Sequence, residues 1–114
     1  MARYEHLTIY KEVYSLSVVL FSIVSRFGRD FKFSLGNRLL DTITEILELV
    51  VLINSLQKDN RKDYFDKLEK HLTRLNLLLN ISNDLKVFGK ESVYLNCIES
   101  IVKVRKLKRG WENA

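Results

Sequence analysis

Apolar positions recur at intervals of three and four residues through most of this chain, the spacing that lines one face of an α-helix. The pattern is clearest at Leu35, Leu39, Ile43, Ile46, Val50 and Ile53. A second series runs through Phe65, Leu68, Leu72, Leu75, Leu79 and Leu85, and a third through Tyr94, Ile98, Ile101 and Leu107, with Trp111 just beyond. The breaks between them are Gly28 to Gly36, then Lys58-Asp59-Asn60, then Phe88-Gly89-Lys90. The spacing therefore predicts helices over about residues 4–27, 35–58, 60–87 and 91–109. Ser34 is the expected cap of the second helix, and Asp59 or Asn60 of the third, with Asp63 near that helix's positive end. Short connections between helices of matched length imply an all-α, antiparallel up-down four-helix bundle, a single domain over residues 1–114. No strand alternation or internal repeat competes with it.

Composition sharpens this picture. The chain has 114 residues, enough for one core and too few for two. It contains no proline, in keeping with long uninterrupted helices. At 46% hydrophobic and 29% charged it is too apolar for a disordered chain. Its longest apolar runs fall short of the roughly 20 residues that cross a bilayer. Charges throughout the first dozen residues argue against a signal peptide. The single cysteine, Cys97, excludes an internal disulfide. These features point to a cytoplasmic protein with no membrane partner.

Two segments are apolar nearly all round: Leu16 to Val24, interrupted only by Ser17 and Ser22, and Ile46 to Ile53, interrupted only by Glu48. A helix buried on one side needs only a single stripe. Either the core is wide or a second face packs against another subunit, and the size of the patches favours a homo-oligomer.

Catalytic chemistry has little to stand on. His6 and His71 lie in different helices without a metal-ligand motif around them, and read as surface or boundary residues. Asp41, Glu45 and Glu48 align on one side of the second helix, but a di-iron bundle needs Glu-x-x-His pairs, which the chain lacks. A solvated or subunit-bridging acidic face is the expectation. Cys97, beside Leu95 and Ile98, reads as a small core residue. With no phosphate loop or nucleophile elbow, we expect no catalytic residue, cofactor or metal.

The basic residues carry more. The net charge is +5, and Lys103, Arg105, Lys106, Lys108 and Arg109 crowd the end of the fourth helix. Compensation of the helix dipole accounts for one or two cations there, not five. Lys103, Lys106 and Arg109 share a spacing that suits contact with nucleic-acid phosphates. A second group, Arg26, Arg29 and Lys32, flanks Phe27, Phe31 and Phe33. Those rings either stack bases or plug the bundle end, and plugging is the commoner use. Without a helix-turn-helix or RNA-binding signature, binding to RNA or DNA would follow charge and shape. Repetition of the patch around an oligomer would strengthen it through avidity.

Several segments together resemble a known family. They are Arg26-Phe27-Gly28-Arg29-Asp30-Phe31-Lys32-Phe33-Ser34-Leu35-Gly36 after an aromatic first helix, then Arg38-Leu39, then Ile43-Thr44-Glu45-Ile46-Leu47-Glu48. Leu78-Leu79-Asn80-Ile81-Ser82-Asn83-Asp84-Leu85-Lys86 and the closing Gly110-Trp111 after a basic helix complete the match. The resemblance, which spans essentially the whole chain, is to the four-helix-bundle group containing the accessory variability determinant (Avd) of diversity-generating retroelements. The same group includes proteins encoded in intervening sequences of large ribosomal RNA genes. The Avd branch implies a basic homopentameric ring that binds the retroelement's reverse transcriptase and its template RNA or cDNA, supports mutagenic retrohoming, and is not itself catalytic. The other branch implies the same bundle in a structural or undefined role, with ribosomal RNA a conceivable contact. Gly110-Trp111 and the basic helix incline the reading to Avd. Some Avd proteins carry basic residues where Asn76 and Asn80 stand here, so a partner contact would fall instead on Arg74 or the C-terminal cluster.

Overall fold

The computed structural model describes residues 7–114. The expected first turn from about residue 4, and His6, lie outside the described residues. Four long helices account for most of the described chain: α1 (Thr8–Val24), α2 (Asn37–Ser55), α3 (Lys62–Asp84) and α4 (Glu91–Glu112). No strand occurs among the described residues. The principal contacts run α1 to α2, α2 to α3, α3 to α4 and α4 to α1, closing four helices around one core. The body measures 44 × 22 × 22 Å.

The core follows the apolar phase of each helix. All six residues of the α2 stripe, Leu35 through Ile53, are buried. In α3 the buried row is Phe65, Leu68, Leu72, Leu75 and Leu79, joined by Leu78 and Ser82. Buried hydroxyls are satisfied within their own helix: Ser17 donates to the Val13 carbonyl at 2.9 Å, Thr42 to Arg38 at 2.7 Å, and Ser82 to Leu78 at 2.7 Å. Such back-bonding lets a small polar group occupy the core without an orphaned donor.

The helix ends differ from the sequence reading in ways that have physical causes. α1 stops at Val24 rather than Phe27, with three-residue backbone bonds from Arg26 to Ile23 and from Phe27 to Val24 tightening its last turn. The connection then shrinks to a few residues. After Gly28 the chain turns helical again at Arg29–Phe31 and passes through a π turn, Lys32–Gly36, directly into α2. Ser34 is therefore inside helical structure and caps nothing; its hydroxyl donates to the Asp30 carbonyl at 3.3 Å. Gly36 has a packing role, because a Cβ there would lie 2.7 Å from Val24 Cγ1. The π turn thus sits at a tight contact between the end of α1 and the start of the second helix.

α2 ends at Ser55 instead of about 58, and Leu56 is extended. Lys58–Asn60 forms a 3-10 turn, and Arg61, not Asp59 or Asn60, occupies the cap position of α3, without a side-chain cap bond. Asp63 does lie in the first turn. α3 ends at Asp84, short of Val87, because Lys86 adopts a left-handed conformation (φ 59°). The Val87 amide bonds back to the Ser82 carbonyl and the Lys86 amide to Asn83, the paired closure of a Schellman motif. Leu85 consequently faces solvent, not the core. α4 continues through Gly110 and Trp111 to Glu112. Its buried row is Cys97, Ile101, Val104 and Lys108, shifted from the expected Ile98 and Leu107, which lie half-buried beside it.

Candidate nucleic-acid and subunit interface

The position of the expected cations follows from which helix ends meet. Phe65 near the start of α3 packs edge-on against Trp111 near the end of α4, centroids 5.2 Å apart. At the other end Phe27 meets Phe88 at 6.0 Å, and Phe88 meets Tyr94 at 6.4 Å. The C-terminal cations of α4 and the Arg26, Arg29 and Lys32 group therefore sit at opposite ends of a 44 Å body and do not form one surface. Of the three phenylalanines, Phe27 is buried and Phe31 half-buried, plugging that end, whereas Phe33 is 69% exposed.

The C-terminal cluster itself divides. Lys108 falls on the buried row of α4, its side chain only 8% exposed, with Nζ 2.8 Å from Glu112 Oε1 and 3.5 Å from Glu69 Oε1. Arg105 donates from Nε to Glu69 Oε2 at 3.0 Å and from its terminal nitrogen to Thr73 Oγ1 at 3.0 Å. Lys103 reaches Glu12 of α1 at 3.3 Å while remaining largely exposed. So Lys108 is a buried ionic tie, and Arg105 binds α4 to α3. Lys106 and Arg109 stay exposed, with no ion pair among the described residues. Arg74 is likewise exposed, on α3; Arg29 is exposed and Lys32 half-buried, and Arg26 donates to Ser22 Oγ at 3.2 Å. Asn80 serves the bundle, accepting a hydrogen bond from the Tyr94 hydroxyl at 2.6 Å.

The acidic row also resolves into a helix contact. Glu45 Oε2 lies 2.7 Å from His71 Nε2 across the α2–α3 groove, and His71 Nδ1 is 2.8 Å from the Lys67 carbonyl oxygen. Asp41 and Glu48 remain exposed. Cys97 is buried, and desolvation pushes its thiol up to about 11, so at neutral pH it is an uncharged core side chain.

The two all-round apolar segments have different fates. In α2 the flanks of the stripe, Leu47, Leu49 and Val51, are half-buried, so most of Ile46 to Ile53 belongs to a wide core. In α1, Leu16, Leu20 and Val24 are buried but Tyr14, Val18, Val19 and Phe21 are exposed, Val18 at 56% and Phe21 at 51%. Further exposed apolar side chains at four-residue spacing are Leu77 and Ile81 on α3 and Leu85 just past its end, with Leu95 and Val102 on α4.

No protein-family model matches this chain, and no curated protein matches it significantly. No helix among the described residues is long and apolar enough to cross a membrane.

Proposed function

We propose that this chain is a non-catalytic accessory protein of the Avd type, an antiparallel up-down bundle that assembles into a ring and binds a retroelement reverse transcriptase together with its template RNA or cDNA. The observation that carries the reading is the exposed apolar row of α1. Tyr14, Val18 and Phe21 lie at spacings of four and three, and large apolar side chains grouped that way on a small helical protein favour association. Contacts between the start of α3 and the end of α4, and between α1's end and the segment leading into α4, support the antiparallel order.

The nucleic-acid contact is narrower than the charge count implies. Lys108 and Arg105 serve the bundle, leaving Lys106, Arg109 and the partly engaged Lys103 at one end, Arg74 on α3, and Arg26, Arg29 and Lys32 at the other. A homopentamer repeats each group around its circumference, so individually weak phosphate contacts add through avidity. The deciding experiment is a nuclease-treated pull-down from native cells, read by mass spectrometry, with light scattering on the purified protein. A co-purifying reverse transcriptase and a five-subunit mass are expected. Ribosomal components in its place would favour the intervening-sequence branch, and a monomer at micromolar concentration would remove the ring.

A further inference from the structure

The α2–α3 connection and the end of α4 enclose an open cavity of about 660 Å³ that neither basic group of the sequence reading included. Lys58, Asp59, Arg61, Lys62, Trp111 and Glu112 line it. Arg61 is held in an unusual way for a loop arginine. Its Nε donates to the Leu56 carbonyl at 3.0 Å, and its guanidinium carbon lies over the Trp111 ring, 5.6 Å from the centroid. Trp111 is in turn fixed at 90° against buried Phe65. The terminal guanidinium nitrogens have no partner among the described residues. A planar fork already anchored through Nε and a ring loses little rotamer freedom when it takes up phosphate oxygens, and two parallel donors suit that geometry.

The surrounding charge agrees. Lys58 and Lys62 are exposed, and the only pairing of Lys62 among the described residues is a loose 3.8 Å contact with Asp66. Of the two acidic side chains that line it, Glu112 is already paired with Lys108 at 2.8 Å, leaving Asp59 against three cations. A guanidinium over an indole, with its own terminal nitrogens open and two exposed ammonium groups beside it, matches the two parts of a nucleotide, a planar base and its charged link. Bases inside a duplex are already stacked and cannot reach such a shelf, whereas those of a single strand can.

We propose that Arg61, Trp111, Lys58 and Lys62 form a binding site for single-stranded nucleic acid at the end of the bundle, the guanidinium–indole pair receiving a base and the flanking cations its phosphates. This rests on the reading of the protein as a nucleic-acid binder and locates the contact. The chain holds a single tryptophan, so Trp111 emission reports this cavity alone. The test titrates the intact protein with a fluorescein-labelled 15-residue oligouridine at low salt, following label anisotropy and Trp111 emission in parallel. Both signals are expected to saturate over one concentration range, with a duplex of equal length leaving the emission unchanged. Arg61→Lys, which keeps the charge and loses the fork, is expected to weaken binding about fivefold or more by removing the stacking plane. The exposed pair Lys58→Gln/Lys62→Gln, which leaves the bundle's packing intact, is expected to lower the slope of log affinity against log salt by about 1.4, or 0.7 for each phosphate no longer neutralised. Anisotropy that saturates while emission and the Lys58→Gln/Lys62→Gln affinity stay fixed would place the oligonucleotide elsewhere and overturn this site alone. No anisotropy change at all would overturn nucleic-acid binding as well.

Discussion

Leu16 to Val24 and Ile46 to Ile53 are nearly indistinguishable as strings, yet they meet different surroundings. The α2 segment lies between α1 and α3, so its stripe is buried, the flanking Leu47 and Leu49 pack against the core's margins, and Val51 is half-buried. The α1 segment has neighbours of the same number, α2 and α4, but leaves Val18, Val19 and Phe21 in solvent. An apolar run therefore signals how much surface a helix must cover; the neighbouring helices decide whether the protein covers it alone. In α2 most of the excess is absorbed internally, Leu52 alone among the segment's apolar side chains being exposed. In α1 it stays at the surface, where the proposed ring would use it.

The most direct test truncates the same chemistry in both contexts. Ile46→Ala removes a fully buried side chain from α2 and is expected to cost about 2–5 kcal/mol, the transfer loss plus the cavity left behind. Val19→Ala on the open face of α1 is expected to change monomer stability by about 0.5 kcal/mol or less. Urea unfolding of both variants, at a concentration where the protein is monomeric, measures the difference. Equal losses would mean that the α1 face is packed within the subunit.

The close approach of α1 to the second helix gives the next effect. Gly36→Ala would ordinarily favour a helix, but here the new Cβ meets Val24 Cγ1 at 2.7 Å and the Phe31 carbonyl oxygen at 3.4 Å. Overpacking of this kind costs about 1–3 kcal/mol. Gly110→Ala, with nothing within 4 Å of its Cβ, is the control and is expected to gain about 0.5–1 kcal/mol. Thermal unfolding of the two variants should move in opposite directions.

Which of these features are legible in the sequence depends on the kind of information each residue carries. The α2 stripe is readable in full because every one of its positions is apolar and the period is unbroken. The phase of α4 is off by one step, since Lys108 occupies a buried position that its charge assigns to the surface. Its burial depends on Glu69, 39 residues earlier in the chain, which no local pattern discloses. Helix ends diverge for a related reason: the pattern makes Gly89 the stop of α3, while a lysine at φ 59° performs it. The basic cluster is visible as composition. Its division into bundle ties and free cations is not, because ion-pair partners lie on other helices. Trp111 reads in the sequence only as a terminal marker; its place beside Lys58, Arg61 and Lys62 emerges once the loop and the helix end are brought together.

Lys108 offers a smaller test of the same lesson. Lys108→Ala leaves Glu112 and Glu69 with one partner fewer in a partly buried setting and is expected to cost about 1–2 kcal/mol, both carboxylates keeping some access to water. Lys108→Met keeps the aliphatic stem on the buried row and is expected to cost less than Ala, about 1 kcal/mol or under, because it restores the packing while leaving the same two carboxylates one partner short. If Met proves as damaging as Ala in denaturant unfolding, the charge is needed at that position and the packing account of α4 is wrong.

The last variant has the smallest expected effect on folding and the largest bearing on the α1 face. Val18→Lys with Phe21→Lys places two cations on positions already more than half exposed, so no cavity forms and no buried charge is created. Helix propensity does not fall, since lysine is a better helix former than valine or phenylalanine. Monomer stability should therefore shift by about 0.5 kcal/mol or less. Association should respond strongly, because each subunit contact would have to desolvate two ammonium groups that lack a partner. Light scattering on the purified variant is expected to give the monomer mass, with a helical circular dichroism spectrum unchanged from the parent. A variant that remains oligomeric would show that subunits meet elsewhere, with Leu77 and Ile81 of α3 and Leu85 just past its end the next face to examine. A variant that unfolds would show that Val18 and Phe21 are needed within the subunit, and the distinction between the two apolar segments would collapse.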